Sequence, residues 1–427
     1  MPQPHLPTVT DTDRRTLANR FLDTRSMTEE LAAPLSPEDQ QIQSMPDVSP
    51  TKWHRAHTTW FFETFLLQPS LSGYESFDPS FAYLFNSYYE AVGPRHTRTD
   101  RGMISRPTAV EVADYRRHVD AAMVELLGVT DELDDLVELG IHHEQQHQEL
   151  LLMDAKHVLS VNPTRPSYLP SEYQPATDPG PAGWVHVEGG VVPIGHGGSG
   201  FAFDNEGPRH EVLLRRYQLA DRLVTAGEWL AFIDDGGYER PDLWLSDGWH
   251  TVQAEGWNGP MYWFCENDDW FVHTLRGVHP VGEHVPVVHV SQYEADAFAR
   301  WAGARLPTEF EWEHAVAGQP VEGNVVSTGA LQPTRVADHH DLANSPIRQA
   351  FGDVWEWTAS AYLPYPGFET AEGAVGEYNG KFMSGQIVLR GGCAVTPADH
   401  VRLTYRNFFP PRSRWCFGGV RLAKDAS

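Results

Sequence analysis

The sequence predicts an α+β protein in which a helical N-terminal half precedes a β-rich C-terminal half. In the first half, glycines are few and apolar residues recur at helical spacing. In the second half, short apolar runs alternate with turn glycines and tryptophans, while a proline-rich stretch separates the two parts. The chain has 427 residues, which is enough for two or three domains with separate cores.

The first half, residues 1–161, is predicted to form a four-helix bundle. Its helical segments are Asp11–Leu31, Thr51–Leu67, Thr108–Leu127 and Asp131–Leu159. Before the second segment, Ser49-Pro50 predicts a serine cap followed by a first-turn proline. The aromatic stretch 77–105, between the second and third segments, has neither period and is predicted to be irregular.

Residues 162–183 contain six prolines without a helical or strand period, and this composition predicts a semi-rigid linker. The second domain, 184–427, then carries apolar runs such as 191–194 and 387–389, next to paired glycines. Only two helices are predicted in this domain, Thr225–Asp234 and Ser291–Ala302. The remainder is predicted to contain much irregular structure.

Composition excludes several classes of function. Acidic residues number 58 and basic residues 32, so the net charge is −26, which repels nucleic acid and anionic membrane surfaces. The three cysteines, Cys265, Cys393 and Cys416, are too few for a disulfide framework or a four-thiolate zinc site. Without a signal-like N-terminus or an apolar run near ~18 residues, we expect a cytoplasmic protein.

Two histidines on the fourth predicted helix indicate a metal site. His143 and His147 are four residues apart, so both lie on one helix face. Together with Glu144 they match the H-E-x-x-H pattern of zinc proteases, in which the glutamate is the general base, but no obvious third ligand follows in the helical half. His57 on the second helix can complete a three-histidine face inside the bundle, with His54 nearby.

Three neutral imidazoles leave the charge of a bound cation uncompensated and leave coordination positions open. This favours Fe(II) with dioxygen and an anionic thiolate substrate. Zinc-dependent hydrolysis is the rival chemistry, and polar helix histidines without a metal are the simplest alternative.

Motifs in both halves resemble one family. The first half carries 52–54 (Lys-Trp-His), 56–64 (Ala-His-Thr-Thr-Trp-Phe-Phe-Glu-Thr), 86–90 (Asn-Ser-Tyr-Tyr-Glu) and 143–147; the second carries 303–309, 311–313, 352–358, 376–382, 389–392, 405–411 and 419–423. From about Pro50 to Ala423 the chain resembles the ergothioneine-pathway sulfoxide synthases. These non-heme iron enzymes join a DinB-like bundle to a formylglycine-generating-enzyme-like, C-type-lectin-like domain.

The resemblance implies a reaction in which dioxygen on Fe(II) couples a thiol to the imidazole carbon of hercynine, giving a sulfoxide. It implies that His57, His143 and His147 bind iron, that Arg95 and Arg98 hold the carboxylate of the thiol, and that Gln146 hydrogen-bonds the hercynine imidazole. The candidates for the proton-donating tyrosine are Tyr88 and Tyr89, ranked above Tyr378. Asn407 and Phe408 match the hercynine-binding strand, and Tyr405, Phe409 and Trp415 can help surround a trimethylammonium group.

Two departures from the family bear on the sulfur donor. Members that use γ-glutamylcysteine carry a Trp-Asp pair after the asparagine, whereas Phe408-Phe409 follows Asn407 here, which favours free cysteine. Cys416 and Gly418 replace the expected Gln and Ser or Thr, and this altered donor pocket leaves a selenium donor, as in selenoneine synthases, as an alternative.

Three other functions remain open. A formylglycine-generating-type oxidase would hold copper with cysteines, but its closely spaced pair is absent, so Cys393 and Cys416 are predicted to be buried and inert. A binding module would leave the three histidines unexplained. A zinc hydrolase would use Glu144. The sequence makes no prediction of the oligomeric state.

Overall fold

The computed structural model describes residues 11–172, 177–335, 346–370 and 374–426. Its contacts divide the chain into two units, Met1–Val158 and Leu159–Ser427. The first is helical and the second combines helices with four small sheets, so the predicted α+β class is confirmed. The finer division into 1–161, 162–183 and 184–427 stays a prediction, and residues 1–10, 173–176, 336–345, 371–373 and 427 of it lie outside the described residues.

The helices of the first unit follow the predicted segments closely. They are α1 (Asp11–Ala32), α2 (Thr51–Phe62), α3 (Gln68–Ser70), α4 (Phe81–Leu84), α5 (Ala109–Val129) and α6 (Asp134–Val161). A wider π-helical turn, Glu63–Leu67, continues α2 to the end of its predicted segment. Among the described helices, none combines the length and the apolar character that crossing a bilayer requires.

The central helix of this unit is α2, in which all 12 residues are buried. Gly140 on α6 allows a close approach, because an added Cβ there would lie 2.5 Å from the ring of Phe62 on α2. His143 follows Gly140 by one helical turn. The glycine therefore helps to bring the histidine face of α6 against α2.

The predicted serine cap of α2 is wrong. Pro50 itself occupies the cap position, and its carbonyl accepts from the backbone N–H groups of Trp53 and His54 at 2.8 and 3.2 Å. No side chain caps this helix, because the Ser49 side chain bonds elsewhere. By contrast, Thr108 and Glu111 form a reciprocal capping box at the start of α5.

The second unit contains twelve strands and four helices among its described residues. The strands are β1 (Trp184–Val187), β2 (Gly190–Ile194), β3 (His210–Leu214), β4 (Tyr217–Ala220), β5 (Trp263–Glu266), β6 (Asp269–Thr274), β7 (Gly277–Pro280), β8 (Trp355–Ala361), β9 (Ile387–Arg390), β10 (Asn407–Phe409), β11 (Gly418–Gly419) and β12 (Ala423–Asp425). The helices are α7 (Ala226–Asp234), α8 (Ser246–Glu255), α9 (Gln292–Trp301) and α10 (Glu309–Val316).

The prediction of only two helices in this unit is wrong. The predicted pair is present as α7 and α9, but α8 and α10 are additional. The start of α10 carries a capping box between Thr308 and Glu311, a signal that the sequence contained. The buried residues of α8 are Gly248 and Val252, and those of α10 include three glutamates, so neither helix shows a clear apolar period.

The four-stranded sheet of this unit, in the order β10-β9-β8-β11, carries the predicted hercynine-binding strand β10. Asn407 of β10 pairs with Leu389 of β9 in an antiparallel register. Next to β10, the buried Arg406 donates to both carboxylate oxygens of Glu309 on α10, at 2.8 and 3.0 Å. This buried, two-point ion pair fixes the start of the strand.

Candidate metal centre

Three histidines converge in the first unit. His57 is on α2, while His143 and His147 are one turn apart on α6, and one ring nitrogen from each lies within 4.8 Å of the others. His57 and His143 are buried and His147 is partly buried. The structure therefore brings together the three residues that the sequence predicts as ligands.

The environment keeps these imidazoles neutral, as metal binding requires. Burial lowers the pKa of His143 to about 3, against a smaller opposing effect of Glu144. Burial, reinforced by the neighbouring His143, also holds the pKa values of His57 and His147 well below the usual range. At neutral pH a nitrogen lone pair is thus available on each ring without loss of a proton.

Hydrogen bonding and stacking fix the orientation of His57. Its Nδ1 donates to the carbonyl of Phe85 at 2.6 Å, which leaves Nε2 as the bare nitrogen. Nε2 has no hydrogen-bond partner among the described residues. The ring lies between two indoles of its own helix, Trp53 at 4.6 Å and Trp60 at 5.5 Å between centroids, both nearly parallel to it.

His147 is supported by a chain of buried polar groups. Its Nδ1 lies 2.8 Å from Nδ1 of His54, and Nε2 of His54 lies 2.9 Å from the Oδ2 carboxylate oxygen of Asp154. His54 and Asp154 are both 3% exposed. The structure therefore places His54 against a predicted ligand of the metal.

Glu144 does not face the three histidines as a hydrolytic base would. Its carboxylate accepts from Arg25 at 2.8 Å, from Arg116 at 2.9 Å and from the Thr28 hydroxyl at 2.6 Å. Burial alone raises the pKa of Glu144, but Arg25 and Arg116 outweigh it and hold the pKa at about 2. Its oxygens are therefore occupied by donors of the bundle core.

The predicted tyrosine pair lies close to this group. Tyr89 is fully buried, with its ring 5.6 Å from Trp60, which stacks on His57. Tyr88 stacks on Tyr89 at 4.7 Å. Asn86 shapes the loop, because its amide donates to the carbonyls of Tyr89 and Gly93, both at 3.1 Å, and accepts from the Tyr89 N–H.

The predicted arginines stand on the exposed end of the same loop. Arg95 donates to the Ser87 carbonyl at 2.8 Å and pairs with Glu90 at 2.6 Å. Arg98 donates to the Asp47 carbonyl at 2.6 Å. Both arginines are thus exposed residues whose guanidinium groups donate to backbone carbonyls of the first unit.

Gln146 is partly exposed on α6, three residues after His143 and hence within one turn of it. The remaining predicted site residues lie in the second unit. Asn407, Phe408 and Phe409 form β10 and are partly buried. Phe408 stacks on Tyr362 at 4.1 Å, and Phe409 meets Trp415 edge-on at 5.6 Å.

Tyr378 also belongs to the second unit, where it is buried and stacks on Phe203 at 5.5 Å. Tyr405 is buried against Phe203 as well. Cys393 and Cys416 are buried thiols, and the Cys416 carbonyl accepts from His289 at 2.9 Å. Their predicted burial is confirmed, while their inertness stays a prediction.

The residues present fit a metal ion. A three-imidazole donor set suits iron, zinc or copper, and at His57 the ring nitrogen opposite the bonded one is bare. Trp53 and Trp60 stack on the His57 ring and so cover it with apolar surface.

Comparisons with known proteins agree with this architecture. The DinB superfamily matches residues 20–151, and the sulfatase-modifying factor enzyme 1-like domain family matches residues 171–345 and 333–426. The hercynine oxygenase of Mycolicibacterium thermoresistibile is 32% identical over 442 residues, which cover 96% of this chain and 95% of that protein. The chain belongs to the hercynine oxygenase family. The Mycobacterium tuberculosis hercynine oxygenase is 33% identical and covers 89% of this chain and 92% of its own length.

Membership of the hercynine oxygenase family makes this chain an oxidoreductase. The formylglycine-generating enzyme of Streptomyces coelicolor is also similar, at 29% identity, but that similarity covers only 59% of this chain. The near-full-length similarity to hercynine oxygenases includes the helical unit that carries the three histidines. The family assignment predicted from the motifs is therefore confirmed.

Sequence reasoning missed three residues of the polar network in this hercynine oxygenase relative. Asp154 bonds His54, which contacts His147; Arg101 lies on the Trp53 ring, which stacks on His57; and the Thr28 hydroxyl donates to Glu144. Asp154 lies 100 residues from His54 in sequence, so no local pattern links the two. The available signal was its position on α6, seven residues after His147, which places it near the same helix face.

Proposed function

We propose that this chain is a non-heme Fe(II) enzyme that uses dioxygen to join hercynine to a thiol as a sulfoxide, in ergothioneine biosynthesis. The observation that carries the proposal is the buried group of His57, His143 and His147 in a chain similar to hercynine oxygenases over 96% of its length. Its partners are then three small molecules: hercynine, a cysteine-type thiol and dioxygen.

In this proposal His57, His143 and His147 hold the iron, which when bound supplies the activation of dioxygen. The imidazole C–H and the thiol S–H are lost, one C–S bond forms, one oxygen atom enters the sulfoxide and the other leaves as water. Because the three ligands are neutral, the cation's charge remains available to attract a thiolate. The protein thus selects an anionic sulfur donor by the charge of its ligand set.

A phenol is proposed to supply the proton that oxygen reduction requires. Tyr88 and Tyr89 are preferred to Tyr378, because Tyr89 packs against the indole that stacks on His57. The buried position of Tyr89 excludes bulk water from its hydroxyl surroundings.

Substrate-binding roles follow the family match. Arg95 and Arg98 are proposed to bind the carboxylate of the thiol, since a guanidinium fork suits that group. Gln146 is proposed to hydrogen-bond the hercynine imidazole. Asn407, Phe408, Phe409 and Trp415 are proposed to bind hercynine, whose trimethylammonium group favours aromatic faces, while Cys416 shapes the donor pocket.

The contacts of Glu144 disfavour the zinc hydrolase. A hydrolytic base must reach a metal-bound water, but this carboxylate accepts from two arginines and a threonine in the bundle core. A pure binding module is disfavoured as well, because it does not account for three neutral histidines, two of them fully buried, that converge on one point.

We expect cysteine to be the sulfur donor, because Phe409 replaces the acidic residue that would bind a γ-glutamyl amine. The test is anaerobic reconstitution with Fe(II), followed by dioxygen and hercynine with cysteine, γ-glutamylcysteine or a selenol donor, separately. Mass spectrometry of the products should find the sulfoxide adduct with cysteine. The Phe409→Asp variant is the matched comparison, and its turnover should move toward γ-glutamylcysteine.

If the wild-type protein formed the adduct with γ-glutamylcysteine but not with cysteine, that result would contradict this donor assignment. Preference for the selenol would support the selenoneine-type alternative. No adduct with any donor, together with tightly held zinc, would favour the hydrolase.

A further inference from the structure

We propose that Asp154 and His54 are positioning residues for the metal site, in which the carboxylate acts through His54 to set the tautomer and ligand strength of His147. The inference rests on the proposed metal site, but not on the identity of the reaction. It adds two residues with a specific task to the three histidines.

The direction of each hydrogen bond in the series Asp154–His54–His147 follows from the group that must accept or donate. An ionised Asp154 only accepts, so Nε2 of His54 donates to its Oδ2 oxygen across 2.9 Å. In the 2.8 Å contact between the two Nδ1 atoms one ring donates and the other accepts, and a ligand histidine donates the N–H that does not face the metal, so Nδ1–H of His147 donates to Nδ1 of His54. The bare nitrogen of His147 is therefore Nε2, the atom on the other side of the ring.

His57 has the same arrangement without an intervening histidine, because its Nδ1 donates directly to the Phe85 carbonyl. Both histidines thus use Nδ1 for support and keep Nε2 bare. At His147, however, the support ends on a negative charge rather than on a neutral carbonyl. Hydrogen bonding to a carboxylate raises the basicity of an imidazole ligand. His147 is therefore expected to bind the metal more strongly than His57 does.

Asp154 is held in place by Ser49, the serine that was predicted to cap α2. The backbone N–H of Ser49 donates to Oδ2 of Asp154 at 2.7 Å, and the Ser49 hydroxyl accepts from Arg101 at 2.9 Å. Arg101 is 4% exposed, and its guanidinium lies 3.4 Å from the Trp53 ring centroid with no carboxylate within ion-pairing distance among the described residues. Its charge therefore balances Asp154 through one serine, without competing for the oxygen that His54 uses.

Fe(II) affinity measured anaerobically, by competition with a colorimetric chelator, tests the inference without any substrate. Asp154→Asn keeps the shape and an acceptor oxygen but removes the charge. We expect it to bind Fe(II) about 10–100-fold more weakly, the usual cost of losing an outer partner of a ligand histidine. The matched control is Glu63→Gln, which also removes a buried carboxylate of this unit, one bonded to the hydroxyls of Tyr74 and Tyr115. Its Fe(II) affinity should equal that of the wild type.

Two variants of His54 decide the question independently of whether Asp154→Asn folds. His54→Gln can accept from His147 and donate to Asp154, so it should keep most of the affinity, whereas His54→Leu should lose about as much as Asp154→Asn. In the double variant of Asp154→Asn and His54→Leu, the two losses of Fe(II) affinity should not add, because both substitutions interrupt the same series of hydrogen bonds.

Wild-type affinity in folded Asp154→Asn or His54→Leu would overturn the inference, as would equal losses in His54→Gln and His54→Leu. These outcomes are distinct from failure of the proposed function, since a chain without hercynine activity can still show the predicted pattern of Fe(II) affinities.

Discussion

His143→Ala is expected to lose stoichiometric Fe(II) binding and nearly all oxidative activity. His143 is buried and supplies one of three ring nitrogens within 4.8 Å of one another, so its removal leaves two ligands from two different helices. The Fe(II) affinity should fall by more than the roughly 10–100-fold that removal of an outer hydrogen-bond partner of a ligand histidine costs. Metal content after anaerobic reconstitution and the initial rate of product formation measure the effect.

The adjacent His142 provides the control for this variant. It is also buried on α6, with 2% of its surface exposed, but it does not belong to the group of three. His142→Ala should keep the iron and the rate per folded molecule even if the melting temperature falls. Iron binding by His143→Ala at the wild-type level would remove this residue from the ligand set.

Glu144→Gln is expected to destabilise the helical unit strongly while leaving the chemistry of the folded protein intact. The substitution leaves two buried guanidinium groups, Arg25 and Arg116, without their shared carboxylate. Breaking one partner of a buried ion pair typically costs about 3–5 kcal/mol in the free energy of unfolding. Urea unfolding followed by circular dichroism measures the change.

Glu138→Gln is the matched control, because Glu138 lies on the same helix and pairs with Arg20 at 2.8 Å where both side chains are about one-third exposed. The free energy of unfolding of Glu138→Gln should fall by less than about 1 kcal/mol. A Glu144→Gln protein that is as stable as the wild type but has lost all activity would restore Glu144 as a catalytic base.

Acid should reproduce part of the Glu144 effect. The folded-state pKa of about 2 lies below the unfolded value of 4.5, so the stabilisation by Glu144 is present above pH 4.5. It is lost as the pH falls from 4.5 through about 2. In the Glu144→Gln variant, this part of the acid dependence should be missing.

The group of three histidines could be predicted from sequence because two of its members are local to one helix. His143 and His147 are separated by one helical turn, and His57 lies on a helix whose apolar period is clear. The family motifs of both halves predicted the order of the two domains. These features depend on spacing along the chain, which a sequence displays directly.

The network behind the ligands could not be predicted in the same way. Ser49 was expected to cap α2, but tertiary contacts with Asp154 and Arg101 use its polar groups instead. Glu144 fits a catalytic motif, but its carboxylate contacts the distant Arg25 and Arg116 in the bundle core, and these partners could not be identified from sequence. Such roles depend on partners 28 to 119 residues away, and no local period encodes them.

The measurement that tests the central claim most directly is oxygen-isotope labelling of the product from iron-loaded and zinc-loaded protein. With Fe(II), hercynine, cysteine and ¹⁸O₂, the account predicts a hercynine–cysteine sulfoxide that contains one labelled oxygen atom, and no product from the zinc form. A sulfoxide oxygen that comes from water, or equal conversion of substrate by the zinc form without dioxygen, would contradict it.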